Sequence, residues 1–464
     1  MFFQSTTPEQ TQKRRRFWQK TRRRLGWTLA VLFVAHSGLN IYASVLLNRE
    51  LAAIREKGEP LQFAEMAPPA VPDAQNAALL YKQAADSLRF TSEEKFVFLR
   101  PPQNLTPQQI QIIGVALLKN QGSLNLTRRA AAMPQCRFPL NYGTDNPLVL
   151  LFPHYGDLRD LARLLAAQAI VEAKNGDRVG ALRDVRAMWG ISRHLSNDPI
   201  MVGFLVAQLI DTDANQALAQ VLRSVPLTRL QAREFPISLP AENWNRAFHH
   251  SLLGERTFIL FIFERLRQIT ITKHDLTLLG SDTTPSDLWI SYPLLLLWRP
   301  MLKLDEVQSL RLLKQQLDAA SIQQLPRYLK ATHSIEKTLA NTPRYAMMTR
   351  ILLPSPRRVR KHRVFAEVKT RQREIALALA VYRSAKGQYP RKMKELNSLW
   401  GKPLPLDPYS QKPFIYHSDG KSFMLYSVGV NGIDNGGKGI LYGDIGSKGW
   451  RRGDDDLLWG RAHY

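Results

Sequence analysis

The sequence predicts a mostly α-helical protein. It has one N-terminal membrane-crossing helix, a large irregular helical domain and a small C-terminal α+β module. Three observations predict this. An uncharged apolar run, Leu25 to Leu47, follows a dense basic flank. Apolar residues then recur at helical spacing over most of residues 76–353. The last hundred or so residues switch from that period to two short alternating runs around Asp419-Gly420.

The run LGWTLAVLFVAHSGLNIYASVLL extends about 34 Å as a helix, enough for a hydrocarbon core of about 30 Å. Trp27 and Tyr42 sit toward its ends, where amphipathic rings favour the interface. Lys13, Arg14, Arg15, Arg16, Lys20, Arg22, Arg23 and Arg24 all precede it. Positive flanks stay on the cytoplasmic side, so residues 1–24 are expected in the cytoplasm and the bulk of the chain outside it. A cleaved signal peptide would have a shorter apolar core and a small-residue cleavage site, which do not match this segment. His36, Ser37 and Asn40 make the span a moderate one, and tolerated polarity is the expected reason for them. A second apolar run, Leu288 to Trp298, has about half the length needed to cross and is interrupted by Pro293. It reads as a buried core helix or a surface-dipping segment.

Composition narrows the rest. The net charge of +25 would draw the chain to anionic surfaces such as lipid headgroups, acidic envelope polymers or nucleic acid, but basic proteomes often give such values with no dedicated ligand, and that is the expected account. The single cysteine, Cys136, excludes an intramolecular disulfide framework and any cysteine metal cluster. Residues 48–75 read as a linker that Pro68, Pro69 and Pro72 keep extended. Asp73 is the expected N-cap of an alanine-rich helix with Ala77, Leu80, Ala84 and Leu88 on one face. In the helical domain, Asn175-Gly176 marks a left-handed C-cap and Asp177 starts the next helix. That helix pair resembles those of tetratricopeptide-like solenoids, although no 34-residue repeat accompanies it.

Residues 354–363 follow a proline stop and read as a basic, solvated hinge, with Arg357, Arg358, Arg360, Lys361 and Arg363. In the next helix Val364, Val368, Ile375, Leu379 and Tyr382 form one stripe, with Lys369, Arg371, Arg373 and Glu374 off it. Gly387 caps that helix. A two-residue turn at Asp419-Gly420 would place Tyr416 opposite Phe423 and Phe414 opposite Leu425.

The order of these parts resembles the globular domain of the type II secretion major pseudopilin. The residues that carry the resemblance are REIALALAVYRSAKGQYP, then LPLDPYSQKPFIYHSD, then FMLYSVGVNGIDNGG, and last GDDDLLW. It covers about residues 364–459. The first helix departs from the family, lacking a glutamate near its start and standing far from this module in the chain. In the family the loop after the Tyr-Ser-x-Gly strand binds calcium. The resemblance therefore implies Ca²⁺ at Asn431, Asp434, Asp454, Asp455 and Asp456, with backbone carbonyls near Tyr426 and Ser427. Three consecutive carboxylates repel one another unless a cation or solvent intervenes, and hard oxygen donors suit that ion.

Signatures of nucleophilic, phosphate-loop or zinc chemistry are missing from the sequence. His249-His250 with Glu255 and Glu264 is suggestive only on paper, because adjacent histidines point to different faces of a helix. The sequence thus predicts a membrane-anchored extracytoplasmic structural or interaction protein of the bacterial inner membrane, not an enzyme. Its expected partners are the lipid bilayer and proteins of the cell envelope, not nucleic acid. The alternative is an envelope enzyme whose active site lies in the helical domain.

Overall fold

The computed structural model describes residues 8–98, 106–150, 152–234, 241–268, 285–353, 355–429, 431–438 and 456–459. It is 71% helix and 4% strand, so the coarse class read from periodicity holds. The helices are α1 (Pro8–Glu56), α2 (Ala77–Asp86), α3 (Ser92–Phe98), α4 (Pro107–Lys119), α5 (Gln121–Ala132), α6 (Pro153–Lys174), α7 (Arg178–Leu195), α8 (Met201–Ser224), α9 (Arg229–Glu234) and α10 (Ala241–Gln268). After them come α11 (Pro285–Ala320), α12 (Leu325–Ala340), α13 (Met347–Leu352), α14 (Pro356–Lys386) and the single turn α15 (Asn397–Trp400). Strands β1 (Ile415–Ser418), β2 (Phe423–Ser427) and β3 (Leu457–Leu458) form an antiparallel sheet in the order β1-β2-β3.

The chain divides into two compact units that cut across its linear order. The first combines Met1–Leu61 with Ile259–Leu312 and Asn341–Leu353. In it α1 is long and apolar enough to cross a membrane and leaves that surface bare, with Trp27 66%, Phe33 72% and Val34 68% exposed. The helix does not stop at the expected linker but continues to Glu56. Leu46, Leu47, Leu51 and Ile54 pack with Leu260, Val307 and Leu310, and Glu50 pairs with Arg311 at 2.8 Å, which holds these residues helical. Asp305 is buried and accepts hydrogen bonds from the N–H groups of Met348 at 2.8 Å and Thr349 at 3.0 Å. It caps α13 from another helix, since the cap position, Ala346, has no side chain for the task.

Three polar residues of the span, His36, Asn40 and Ser44, are paired. The His36 ring nitrogen Nε2 lies 3.1 Å from the Leu297 carbonyl, and Lys303 Nζ donates to Asn40 Oδ1 and Ser44 Oγ, both at 2.8 Å. Tolerated polarity is therefore not the account of His36 and Asn40. They face α11.

The second unit holds Gln62–Phe258, Leu313–Ala340 and Pro354–Tyr464. Its centre is α6, α7 and α8, with α2 and α5 against them. The turn between α6 and α7 follows the local signals: Gly176 has φ +82°, and Asp177 accepts the Gly180 N–H at 2.9 Å. The start of α2 does not follow them. Asp73 lies in a 3-10 turn, and Asn76 caps the helix instead, accepting from Ala78 N at 3.1 Å. Asn76 also exchanges hydrogen bonds with the backbone of Arg137, so a long-range pairing selects the cap. The linker itself is pinned, with Phe63 buried and stacked on Tyr142 at 5.2 Å.

Of the expected basic hinge at 354–363, residues 356–363 are the first turns of α14, and Pro354 lies outside the described residues. Arg363 is buried, donates to the Ala320 carbonyl at 3.1 Å and to Ile322 O, and covers the Tyr328 ring at 4.0 Å. It satisfies carbonyls left open at the end of α11. Arg360 is 3.6 Å from Glu336. Of the stripe expected along α14, Val364, Val368, Ile375 and Leu379 are buried and Tyr382 is half-buried, but Lys369 and Arg373, off the stripe, are buried too. The helix packs against α12, α8 and β2. Lys369 donates to the Leu458 carbonyl at 2.5 Å. Arg373 donates to Asp211 at 3.2 Å and Asn215 at 2.9 Å, over the face of Trp189.

The hairpin register also differs from expectation. Tyr416 opposes Leu425 and Ser418 opposes Phe423, so four residues, not two, make the turn. The Asp419 carboxylate accepts from Lys421 N at 2.8 Å and Ser422 N at 2.6 Å, and the Ser418 hydroxyl donates to Ser422 O. Those bonds build a wider turn in which Gly420 alone takes positive φ, at +87°. A slip of two residues keeps every side chain on its face. Tyr416, Phe423 and Tyr389 accordingly still meet, with ring centroids 6.1 Å and 4.8 Å apart.

Candidate functional site

The C-terminal module is organised by two buried carboxylates. Asp407 accepts hydrogen bonds from Tyr409 N, the Ser410 and Ser427 hydroxyls and Val428 N, at 2.7–3.2 Å. It ties the Asp407-Pro408 turn to the end of β2, which is why these two separated motifs work as one. Asp456, also buried, accepts from Asn435 N at 3.1 Å and Gly437 N at 2.9 Å. It closes the loop that follows β2.

That loop and Asp456 together bring in three of the five residues expected to hold calcium. Asn431 accepts from Ile433 N and donates to the Asn435 side chain. Asp434 accepts from the Tyr426 hydroxyl and from Gly436 N, both at 2.8 Å, and these bonds hold its carboxyl below the usual range. Burial, with Asp434 beside it, pushes the Tyr426 phenol up. Asp454 and Asp455 lie outside the described residues. Among the described residues no three His, Cys, Asp or Glu side chains converge as a metal cluster. The donor set at the loop is nonetheless hard oxygen, the kind Ca²⁺ takes.

Beside the module, an open cleft of about 240 Å³ lies between α8, α14 and the β1–β2 turn. Arg223, Arg383 and Lys421 line it together with Tyr389, Phe423 and Trp459. Arg383 is fixed there by bonds to the Arg223 carbonyl at 3.1 Å and the Tyr389 hydroxyl at 3.2 Å. Cationic groups above aromatic walls suit a partner's acidic side chain carried on an apolar stem.

A third constellation is invisible in the sequence because its members come from separate elements. His154 Nε2 lies 3.3 Å from Asp198 Oδ2, and the His154 ring stacks on Phe138 at 4.4 Å. Burial pushes the thiol of Cys136 and the phenols of Tyr142 and Tyr155 up, and Asp198 adds to each shift. These groups therefore stay protonated at neutral pH. Next to it, His194 Nδ1 lies 3.0 Å from the Tyr81 hydroxyl, and Nε2 lies 2.9 Å from the Met133 carbonyl. The carbonyl can only accept, so Nε2 carries the proton and Nδ1 accepts from Tyr81.

Burial, helped by Arg193, holds His194 down to about 4. The unfolded chain therefore binds this proton more readily than the folded one, and stability falls as pH drops from about 6.5 toward 4, by about 3 kcal/mol. Substitution His194→Gln should flatten the acid limb of a stability-against-pH curve relative to the parent. Parallel curves would show that His194 is not the group responsible.

The histidine pair at 249–250 plays a packing part. His250 bonds the backbone of Asn197, Glu255 receives a bond from the backbone of Met201, and Gly254 sits against Pro199. Three successive contacts of α10 thus dock on the turn before α8. Burial lifts Glu255 to about 7.

Compared with known proteins, the chain matches no family model, no curated protein and no solved structure.

Proposed function

We propose that this protein is a membrane-tethered structural or interaction protein of the bacterial cell envelope. It is anchored in the inner membrane by α1, with residues 1–24 in the cytoplasm and the bulk in the periplasm. It ends in a secretion-pseudopilin-like module ordered by Ca²⁺, and partners dock in the cleft beside that module. One observation carries the reading: α1 leaves an apolar surface uncovered over the length of a bilayer, and its dense basic flank precedes the span, whereas Arg49, Arg55 and Lys57 after it are offset by Glu50, Glu56 and Glu59. The pseudopilin-like part is supported by a helix, its Gly387 cap, the Asp407 turn and the hairpin, joined in that order.

Protease added outside spheroplasts should digest the bulk and leave a protected N-terminal fragment. A fully protected chain would overturn the topology. For the partner, a photo-crosslinking residue at Ser422 should give discrete adducts that Lys421→Glu suppresses, whereas one at exposed Val179 should not. Adducts indifferent to Lys421 would remove the cleft from the proposal.

Calcium would be held by Asp434 and Asp456 with Asn431, and it would offset the charge of the adjoining acids. Millimolar Ca²⁺ should raise the unfolding temperature of the purified protein above its value in chelator, and Asp434→Asn should abolish the rise. Identical unfolding with and without the ion would remove Ca²⁺ from the proposal.

A further inference from the structure

The hydrogen bonds between α1 and α11 fix where α11 sits relative to the span. His36 meets Leu297, Asn40 and Ser44 meet Lys303, and Glu50 meets Arg311. The partners are 261, 263, 259 and 261 positions apart in the chain. A near-constant offset along both helices means that they run parallel and in register. His36 is central in Leu25–Leu47, so the Leu297 backbone beside it shares the depth of the bilayer centre. From there α11 continues back to Pro285, about 18 Å at 1.5 Å per residue. That distance reaches the inner boundary of a hydrocarbon core about 30 Å thick.

The geometry points to α11 as a second membrane-embedded element, with its N-terminal part beside α1 in the inner half of the bilayer and lipid acyl chains as the occupant of the face that carries Leu297 and Trp298. This rests on the tether reading above and extends it from one helix to two. Its chemistry fits that depth. Leu297 and Trp298 are large apolar side chains that are 66% and 47% exposed. Helix association inside lipid has no hydrophobic drive and uses polar contacts, which is the part His36, Asn40 and Ser44 play. Lys303 lies toward the outer boundary, where a long basic side chain reaches polar surroundings, and it bonds α1 on the way. The inference also explains why a helix interrupted by Pro293 and Pro300 is present at all. Prolines are tolerated in membrane helices where neighbouring protein re-satisfies the backbone groups they free, and α1 is such a neighbour here.

The single native cysteine makes the test direct. In a Cys136→Ser background, full-length protein in liposomes carries one nitroxide label at Leu297→Cys, at Val34→Cys on α1, or at Val179→Cys on α7. Collision with oxygen against collision with a water-soluble nickel complex then reports depth. Leu297 should match Val34 and differ from Val179, and Trp298→Cys should repeat the result should the first variant fold poorly. A Leu297 or Trp298 label as water-accessible as the one at Val179, with Val34 lipid-exposed, overturns the inference and leaves the tether intact. A water-accessible Val34 label overturns both.

Discussion

Replacing Arg373 with alanine should destabilise the second unit by about 3–5 kcal/mol, the largest loss expected from any single charge in the chain. The guanidinium is fully buried, bonded to Asp211 and Asn215 and laid over Trp189 at 4.8 Å. Its removal leaves the Asp211 carboxylate in a site 3% exposed, with the Asn215 amide at 3.0 Å as its remaining bond of this trio. Desolvating the arginine is itself unfavourable: burial pulls its pKa below the ordinary guanidinium value, and Asp211 works against that. The pair is therefore expected to be replaceable as a pair. Arg373→Met combined with Asp211→Leu should recover most of the loss, whereas Arg373→Lys should not, because a compact, strongly hydrated ammonium lacks the planar group that lies over the Trp189 indole while bonding Asp211 and Asn215. Thermal unfolding of purified protein, followed by near-ultraviolet circular dichroism, gives the comparison. A loss under 1 kcal/mol for Arg373→Ala would show that α14 is not welded to α8 through this contact.

Gly254→Ala should cost about 3 kcal/mol or more, although alanine is the better helix former. A methyl group added there would lie 1.6 Å from the Pro199 carbonyl oxygen, a backbone atom in the turn before α8. Neither side can yield alone. His250 and Glu255 bind the same turn from adjacent positions on α10, so relieving the clash breaks those contacts too. Gly114→Ala in α4 is the control, since its added methyl meets nothing within 4 Å, and it should be neutral or stabilising. Equal behaviour of the two variants in chemical unfolding would refute the close approach.

Both effects come from residues whose part a linear reading misassigns. On α14 the helical wheel separates an apolar stripe from Lys369 and Arg373, and it finds a face that is largely buried, but it leaves out Lys369 and Gln372, which bond the β3 carbonyls. It could not know that α8 supplies Asp211 and Asn215 from more than 150 positions away and buries the charged side as well. A glycine within HHSLLGERTF reads as a mild helix defect until Pro199 is placed against it. The hinge assignment at 354–363 failed for the same reason: Arg363 counts as solvated until the end of α11 needs a donor.

The chain by itself determined whatever its near neighbours encode. The bare apolar helix behind its basic flank, the Asn175-Gly176 turn with the Asp177 cap, the Gly387 cap and the order of parts after it all depend on residues within a turn or two. Tertiary structure alone decided which polar groups would lose water and what would meet them. His36 on Leu297, Asn76 on Arg137, Asp305 at the start of α13 and the four-residue hairpin turn are all such cases. Burying a donor or a charge is unfavourable by more than any local propensity, so its partner, however distant in sequence, overrides the local signal.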